Sequence, residues 1–417
     1  MTAKPPVHPT DLHGVGRLAV TATLGITDLV EQMHQTILRV PERFGLPIDG
    51  PIRGITELVY ASIRGITQLV GHGLDTVLPP SLPPVDESLP SPERDALVAA
   101  LNGVLGDYLT SNANPLALSM RLRLSDQPLD LPAPALAAAS PPLGGKILVL
   151  VHGLCLNDRH WNRKGHDHGA ALAADLGYTP VYLRYNTGLH ISANGRTFAD
   201  MLETLVQHWP VPIEALTIVA HSMGGLVARS AYHDAVAAGY AWPRHLRSLV
   251  FLGTPHHGAP LERGGNWLNL LLGVSAYSAA FVRLGQVRSA GITDLRYGNL
   301  LEADWSRHDR FAHVGDQRQP VPLPRGVRVY AMAATTGAIP GDLNDQLFGD
   351  GLVPVSSALG RHPDARLALA LPEDRQWVGY TMNHLDLLDR PEVYAQLRRW
   401  LSAPTLQLCA PQVGAEA

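Results

Sequence analysis

Apolar positions follow two different spacings along the chain. From about residue 15 to 80 they recur every three or four residues: Ile26, Leu29, Val30, Met33 and Ile37, then Ile55, Leu58, Val59, Ile63, Ile66, Leu69, Val70 and Leu74. That spacing lines one face of a helix, so two amphipathic helices are predicted. Between them RVPERFGLPIDGP, rich in proline and glycine, ends the first helix and permits a hairpin. The words GITDLV, GITELV and GITQLV begin at residues 25, 54 and 65. The last two are spaced by whole helical turns, so Gly54 and Gly65 share a face. Such a hairpin either packs on a neighbouring domain or lies on a lipid surface. The scarcity of basic residues on its polar faces favours packing.

The Pro-rich stretch VLPPSLPPVDESLPSPE reads as a semi-rigid linker. It divides an N-terminal helical region, 1–90, from a second domain over 91–405, with a tail at 406–417. Beyond a helix at about 92–110, the spacing changes to short β-rich runs: MRLRL, KILVLV, VYLRY, LTIVA, SLVFL, VRVYAM and RLALAL. Helical or loop segments separate them, which predicts the α/β class with a doubly wound, mostly parallel sheet. Ligands of such sheets bind at the carboxyl ends of the strands. Residues 259–325 are too many for a simple connection and enclose the apolar run WLNLLLGVSAYSAAFVRLG, which predicts a helical lid. Within it Leu268, Leu271, Leu272, Val274 and Phe281 would form either an acyl-chain wall or the packed face of the lid itself.

At 417 residues the chain can hold one large α/β domain and a smaller unit. A formal charge of −4 leaves no electrostatic footprint for nucleic acid and excludes that class of partner. The two cysteines, Cys155 and Cys409, make no disulfide scaffold and fit a reducing compartment. MTAKPPVHPTDLHGV at the start lacks the apolar core of a secretory signal, and no uninterrupted apolar run is long enough to span a bilayer. The expected location is cytoplasmic, with peripheral membrane contact through the N-terminal helices left open.

The carboxyl end of LTIVA carries the strongest chemical signal. It leads into His221, Ser222, Met223, Gly224 and Gly225 and then the helical run LVARSAYHDAV. This is the strand, tight turn and helix of a G-x-S-x-G nucleophile elbow, with Ala220 where glycine is usual. Ser222 is the candidate nucleophile. A tetrahedral intermediate needs two backbone N–H donors, one following the nucleophile and one from a loop after an earlier strand. Met223 and Leu154 fit, the latter in the loop after KILVLV. His152 reads as a residue that orients that loop, and Cys155 as a packed side chain. In chain order a carboxylate and then a histidine should follow the serine. Asp350, opening DGLVPVSSALG after VRVYAM, and His384, in TMNHLDLL after RLALAL, occupy the required strand-end loops. Asp342 and Asp345 compete for the acid role, and His362 for the base.

The motifs VHGL, AHSMGG, FLGTPHHGAP, DGLVPVSSALG and NHLD, in that order, resemble those of bacterial triacylglycerol lipases and esterases and of PGAP1-like hydrolases. The resemblance implies the α/β-hydrolase fold and the triad Ser222, Asp350 and His384. It further implies hydrolysis of carboxylic esters, acyl or lipid-like, through an acyl-enzyme, with no cofactor required. An acyltransferase or a PGAP1-like deacylase would use the same triad. A lipid- or partner-binding helical module on an inactive hydrolase scaffold is the alternative of another class. The lipases also imply a question about calcium near the histidine, because the aspartate of their H-L-D motif corresponds to Asp386. The second aspartate of such a site has no clear counterpart beyond Asp342 or Asp345, and helix capping is the other reading of Asp386. The N-terminal helices fall outside the resemblance.

Overall fold

The computed structural model describes residues 14–17, 92–129, 143–259, 289–307, 316–339 and 349–402. The predicted N-terminal hairpin, the lid residues Leu268, Leu271, Leu272, Val274 and Phe281, and Asp342, Asp345 and Cys409 lie outside them. The chain forms two compact units, one of residues 1–91 with 109–117 and one of 92–108 with 118–417. Among the described residues of the first unit, Asn114 ties two segments together. Its Nδ2 donates to the Gly14 carbonyl at 3.1 Å, and its Oδ1 accepts from the Leu116 amide at 2.9 Å.

The second unit is built on an eight-stranded sheet ordered β10-β9-β8-β7-β3-β6-β1-β2. Its strands are β1 (Arg121–Leu124), β2 (Gln127–Pro128), β3 (Lys146–Val151), β6 (Thr179–Arg184), β7 (Ala215–His221), β8 (Leu246–Leu252), β9 (Arg328–Ala334) and β10 (Gln376–Gly379). From β6 to β10 every pairing is parallel, whereas β1 runs antiparallel to both β6 and β2. A two-residue pair, β4 (Asn162–Arg163) and β5 (His166–Asp167), forms a separate ribbon. The central strands are mostly apolar because helices cover both faces. On one face Leu148, Leu150, Val219, Val250, Leu252 and Met332 share a core with Leu172 of α2 (His168–Leu176) and with Val393, Leu397 and Trp400 of α7 (Pro391–Leu401). Alternation along the strands sends Ile147, Val149 and Val151 to the opposite face, which α3 (Ile191–His208) and α4 (Met223–Ala238) cover. There Gly195 lets the two helices close in: a Cβ on it would lie 2.3 Å from Ser230 Oγ.

One expected strand is absent. RLALAL does not join the sheet, and β10, five residues beyond its end, is the edge strand beside β9. Asp364 explains the difference. Its carbonyl accepts from the amides of Leu367 and Ala368, at 3.0 and 3.1 Å, and its carboxylate holds the Arg366 amide and guanidinium. Those local bonds curl the segment into turns, from which Leu369 and Leu371 still reach the core.

Because Val151 pairs with Ala220, His221 with Leu252, Leu252 with Met332 and Ala334 with Gly379, the carboxyl ends of five strands lie in one row. The ladder continues past them: the amides of Ser222, Gly253 and Thr335 donate to Leu252, Met332 and Gly379, each at 2.8 Å.

Candidate active site

At the end of β7 the backbone of Ser222 takes φ 54° and ψ −126°, a conformation costly for any residue with a Cβ. The turn survives because both flanks are tied. The Ser222 amide donates to Leu252, and its carbonyl accepts from the Gly225 amide at 3.0 Å. The glycine two residues on is a steric necessity, since a Cβ on Gly224 would lie 2.5 Å from the Val151 carbonyl oxygen and 2.6 Å from that of His152. Ala220, at the position two before, is fully buried. Ser222 is half-buried and, among the described residues, hydrogen-bonds through its backbone alone.

Asp350 and His384 meet at the same edge. Asp350 Oδ2 accepts from His384 Nδ1 at 2.6 Å, and each side chain is 1% exposed. The other oxygen, Oδ1, accepts from the amides of Leu352 and Val353 at 3.0 and 2.9 Å, which fixes the plane of the carboxylate. With Nδ1 donating to a carboxylate, the imidazole keeps its Nε2 lone pair free for a proton. The backbone is tied as well, the His384 amide donating to the Asp350 carbonyl at 3.2 Å. His384 opens a short 3-10 turn, His384–Leu388, capped by Asn383, whose Oδ1 accepts from Leu385 and Asp386. The ring lies over the end of β8. A Cβ on Gly253, whose φ is +59°, would be 3.0 Å from Cε1 and 3.1 Å from Nδ1. Gly253 directly follows Leu252, the residue whose carbonyl holds the Ser222 amide.

The loop after β3 closes on the serine from the other side. A Cβ on Gly153 would lie 2.9 Å from Ser222 Cβ. The amides of Leu154, in this loop, and Met223, at the start of α4, carry no hydrogen bond among the described residues. The loop is held from behind, where Cys155 N donates to Thr187 Oγ1 at 3.2 Å and the Tyr185 hydroxyl donates to the His152 carbonyl at 2.8 Å. Helix α1 (Pro92–Ser111) presses on it through Gly103, where a Cβ would come 2.2 Å from Cys155 Sγ. His152 stacks on Tyr185 at 4.5 Å, and burial pushes its pKa down to about 4, so it stays neutral. Burial pushes the Cys155 thiol up to about 12, which leaves it protonated and unreactive.

His362 is placed elsewhere. Its ring tilts over His257 at 4.7 Å, and its Nδ1 accepts from the Asp364 amide. Asp386 Oδ2 accepts from the Asn383 amide at 3.0 Å, and the carboxylate faces Lys164 and Arg390 at 3.6 and 3.7 Å. A carboxylate so committed to a cap and two cations does not fit a calcium ligand. No cluster of three or more His, Cys, Asp or Glu side chains able to hold an ion occurs among the described residues. Nor is any helix among them long and apolar enough to cross a membrane. His221 escaped notice in the sequence because it stands inside the elbow motif. Here it is fully buried against His384, with ring centroids 4.6 Å apart.

Residues 142–330 match the model of the PGAP1-like alpha/beta domain family. No curated protein matches the sequence. Solved structures with a similar course include the mature Bacillus licheniformis lipase BlEst2, at 19% identity and a TM-score of 0.42 over 68% of this chain and 97% of that one. The Pyrococcus furiosus esterase Pf2001 is 12% identical, with a TM-score of 0.37 over 62% of this chain and 80% of its own. For the Legionella pneumophila phospholipase PlaB the values are 14% and 0.31, over 51% of this chain and 45% of its own. The segment 142–330 is thus similar to a PGAP1-like alpha/beta domain, and the structure there is a mostly parallel sheet flanked by helices with a strand–turn–helix at its carboxyl edge.

Proposed function

We propose that the protein is a serine carboxylic ester hydrolase that works through an acyl-enzyme, with Ser222 as nucleophile, His384 as base and Asp350 as the acid member of the triad. The observation that carries this reading is the buried 2.6 Å Asp350–His384 hydrogen bond, at the strand edge where Ser222 sits in a strained elbow. His384 Nε2 takes the proton of Ser222 Oγ as that oxygen bonds to the ester carbonyl carbon. The carbonyl π pair moves onto oxygen, where the amides of Leu154 and Met223 receive it. Each such donor is worth about 2.7–4 kcal/mol in related enzymes. The imidazolium is stabilised by ionised Asp350 and protonates the departing alcohol, leaving the acyl-enzyme. Water then repeats the sequence and releases the acid. The substrates are acyl or lipid-like esters, the class that the motif resemblance implies.

A panel of p-nitrophenyl esters from short to long acyl chains, with wild type beside Ser222→Ala, tests the reading. Turnover should vanish in the variant at unchanged folding. Turnover that survives would overturn the assignment of Ser222, and a well-folded but inactive wild type would favour the scaffold alternative.

A further inference from the structure

His221 has no part in the steps above, yet it is a fully buried imidazole beside the nucleophile. Its Nε2 lies 3.2 Å from the His384 carbonyl oxygen. A carbonyl can only accept, so Nε2 carries the proton and the ring is the Nδ1-unprotonated tautomer. Burial, the dominant cause, and the neighbouring His384 hold its pKa well below the ordinary value, so the ring stays neutral. Among the described residues its Nδ1 has no hydrogen-bond partner, and it faces the loop after β3, 3.0 Å from where a Cβ on Gly153 would stand. One side chain therefore touches three segments: it precedes Ser222 in the chain, abuts Gly153, and donates to the backbone of His384.

We propose that His221 is a positioning residue that ties the base to the nucleophile: its Nε2–H holds the His384 carbonyl, so that the imidazole faces Ser222. The proposal rests on the serine-hydrolase reading. The backbone of His384 is otherwise held from the acid side, through its amide on Asp350. The two bonds together pin the base residue between the strand that carries the nucleophile and the loop that carries the acid. Without the His221 bond the 3-10 turn at His384–Leu388 keeps its Asn383 cap and its tie to Asp350, so the fold persists while the ring loses its register with Ser222.

Diisopropyl fluorophosphate reports on this geometry without knowledge of the natural ester. Ser222 Oγ forms a bond to phosphorus, fluoride leaves, and His384 takes the proton. The full-length chain would be labelled as wild type, His221→Met and His221→Gln, with the modified residue mapped by mass spectrometry. Methionine fills the volume without a donor, whereas the glutamine amide reaches about as far as Nε2. The labelling rate constant and the kcat for p-nitrophenyl acetate should fall about tenfold to a hundredfold in His221→Met, the loss expected for one buried hydrogen bond. KM should change less than about twofold, and His221→Gln should recover most of the rate. Should His221→Met fail to fold, His221→Asn replaces it, since that amide is one methylene too short to reach the carbonyl. Equal rates in all variants, or equal losses with and without the donor, would overturn the proposal. A wild type in which Ser222 is not labelled would instead remove the hydrolase reading and the proposal with it.

Discussion

Replacing Asp350 by asparagine changes one atom of the site and reverses the hydrogen-bond logic of the base. Asp350 Oδ1 accepts from the Leu352 and Val353 amides, and Oδ2 accepts from His384 Nδ1. An asparagine must aim its oxygen at the two amides, because the opposite orientation sets an NH2 group against two buried N–H donors. Leaving those donors unpaired costs about 1–3 kcal/mol each, hence about 2–6 kcal/mol against the flipped state. The NH2 group then faces His384 Nδ1 and drives the imidazole proton to Nε2, the atom that must be empty to receive the serine proton. The productive arrangement is thus a minor state, by roughly 30-fold at the lower bound and about 10⁴-fold at the upper. The corresponding change in Ser-His-Asp enzymes costs about 10⁴ in kcat. Steady-state hydrolysis of p-nitrophenyl acetate, with thermal unfolding as the control, measures it. The expected result is a fall in kcat of at least about 30-fold with Tm little changed. A fall of less than tenfold would refute the tautomer reasoning, because the structure offers the asparagine no other inexpensive orientation.

Two further outcomes follow from burial and from close contact. His152 and His168 are held near pKa 4, and His221 and His256 well below their ordinary value, in each case chiefly by burial. A folded pKa below the unfolded value means that the unfolded chain binds the extra proton, so these groups leave stability intact above about pH 6.5 and withdraw it as pH falls toward 4. Each contributes a slope of up to about 1.4 kcal/mol per pH unit in that window. Urea midpoints should therefore drop between pH 7.5 and 5, and a constant midpoint would contradict the burial of these rings. Separately, Gly103→Ala places a methyl group 2.2 Å from Cys155 Sγ, on the loop that carries the Leu154 amide. Overpacking of this kind costs about 1–3 kcal/mol. Thermal unfolding should show the loss, and adding Cys155→Ala should restore part of it; additive losses in the double variant would refute the contact.

What could be read from the sequence, and what could not, divides by the range of the interactions. The elbow was legible because strand, turn and helix occupy one stretch from Ala215 to Ala238, and the steric demand on Gly224 is met within it and at the neighbouring strand end. Asp350 and His384 were picked out through chain order and loop position, and their side chains hydrogen-bond at 2.6 Å. The last strand was misread because Leu367, Leu369 and Leu371 alternate as a strand does, while the bonds that decide the matter, from Asp364 to Arg366, Leu367 and Ala368, leave no mark on hydrophobic period. The short QWVG segment that takes the edge offers weak alternation of its own.

The residues that support the site were invisible for a different reason: their partners are remote. His221 meets His384 across 163 positions, Cys155 meets Ala100 across 55, and Tyr185 meets His152 across 33. None of these pairs has a spacing that a helix or hairpin would produce. The register of the parallel sheet, which aligns Val151 with Ala220 and His221 with Leu252, places His152, Cys155 and His221 at one edge, while Ala100 comes from helix α1. Side-chain direction alternates along a strand, so a slip of one residue between β7 and β8 would turn His221 from the His384 side to the opposite face. The same slip would move Ser222 off the Leu252 carbonyl that fixes its amide. Ser222 and His384, the proposed nucleophile and base, are therefore matched by the apolar pairs Ile218–Leu249, Val219–Val250 and Ala220–Phe251, which set that register by burial. A substitution that weakens those pairs without unfolding the sheet should therefore lower activity before it lowers secondary structure.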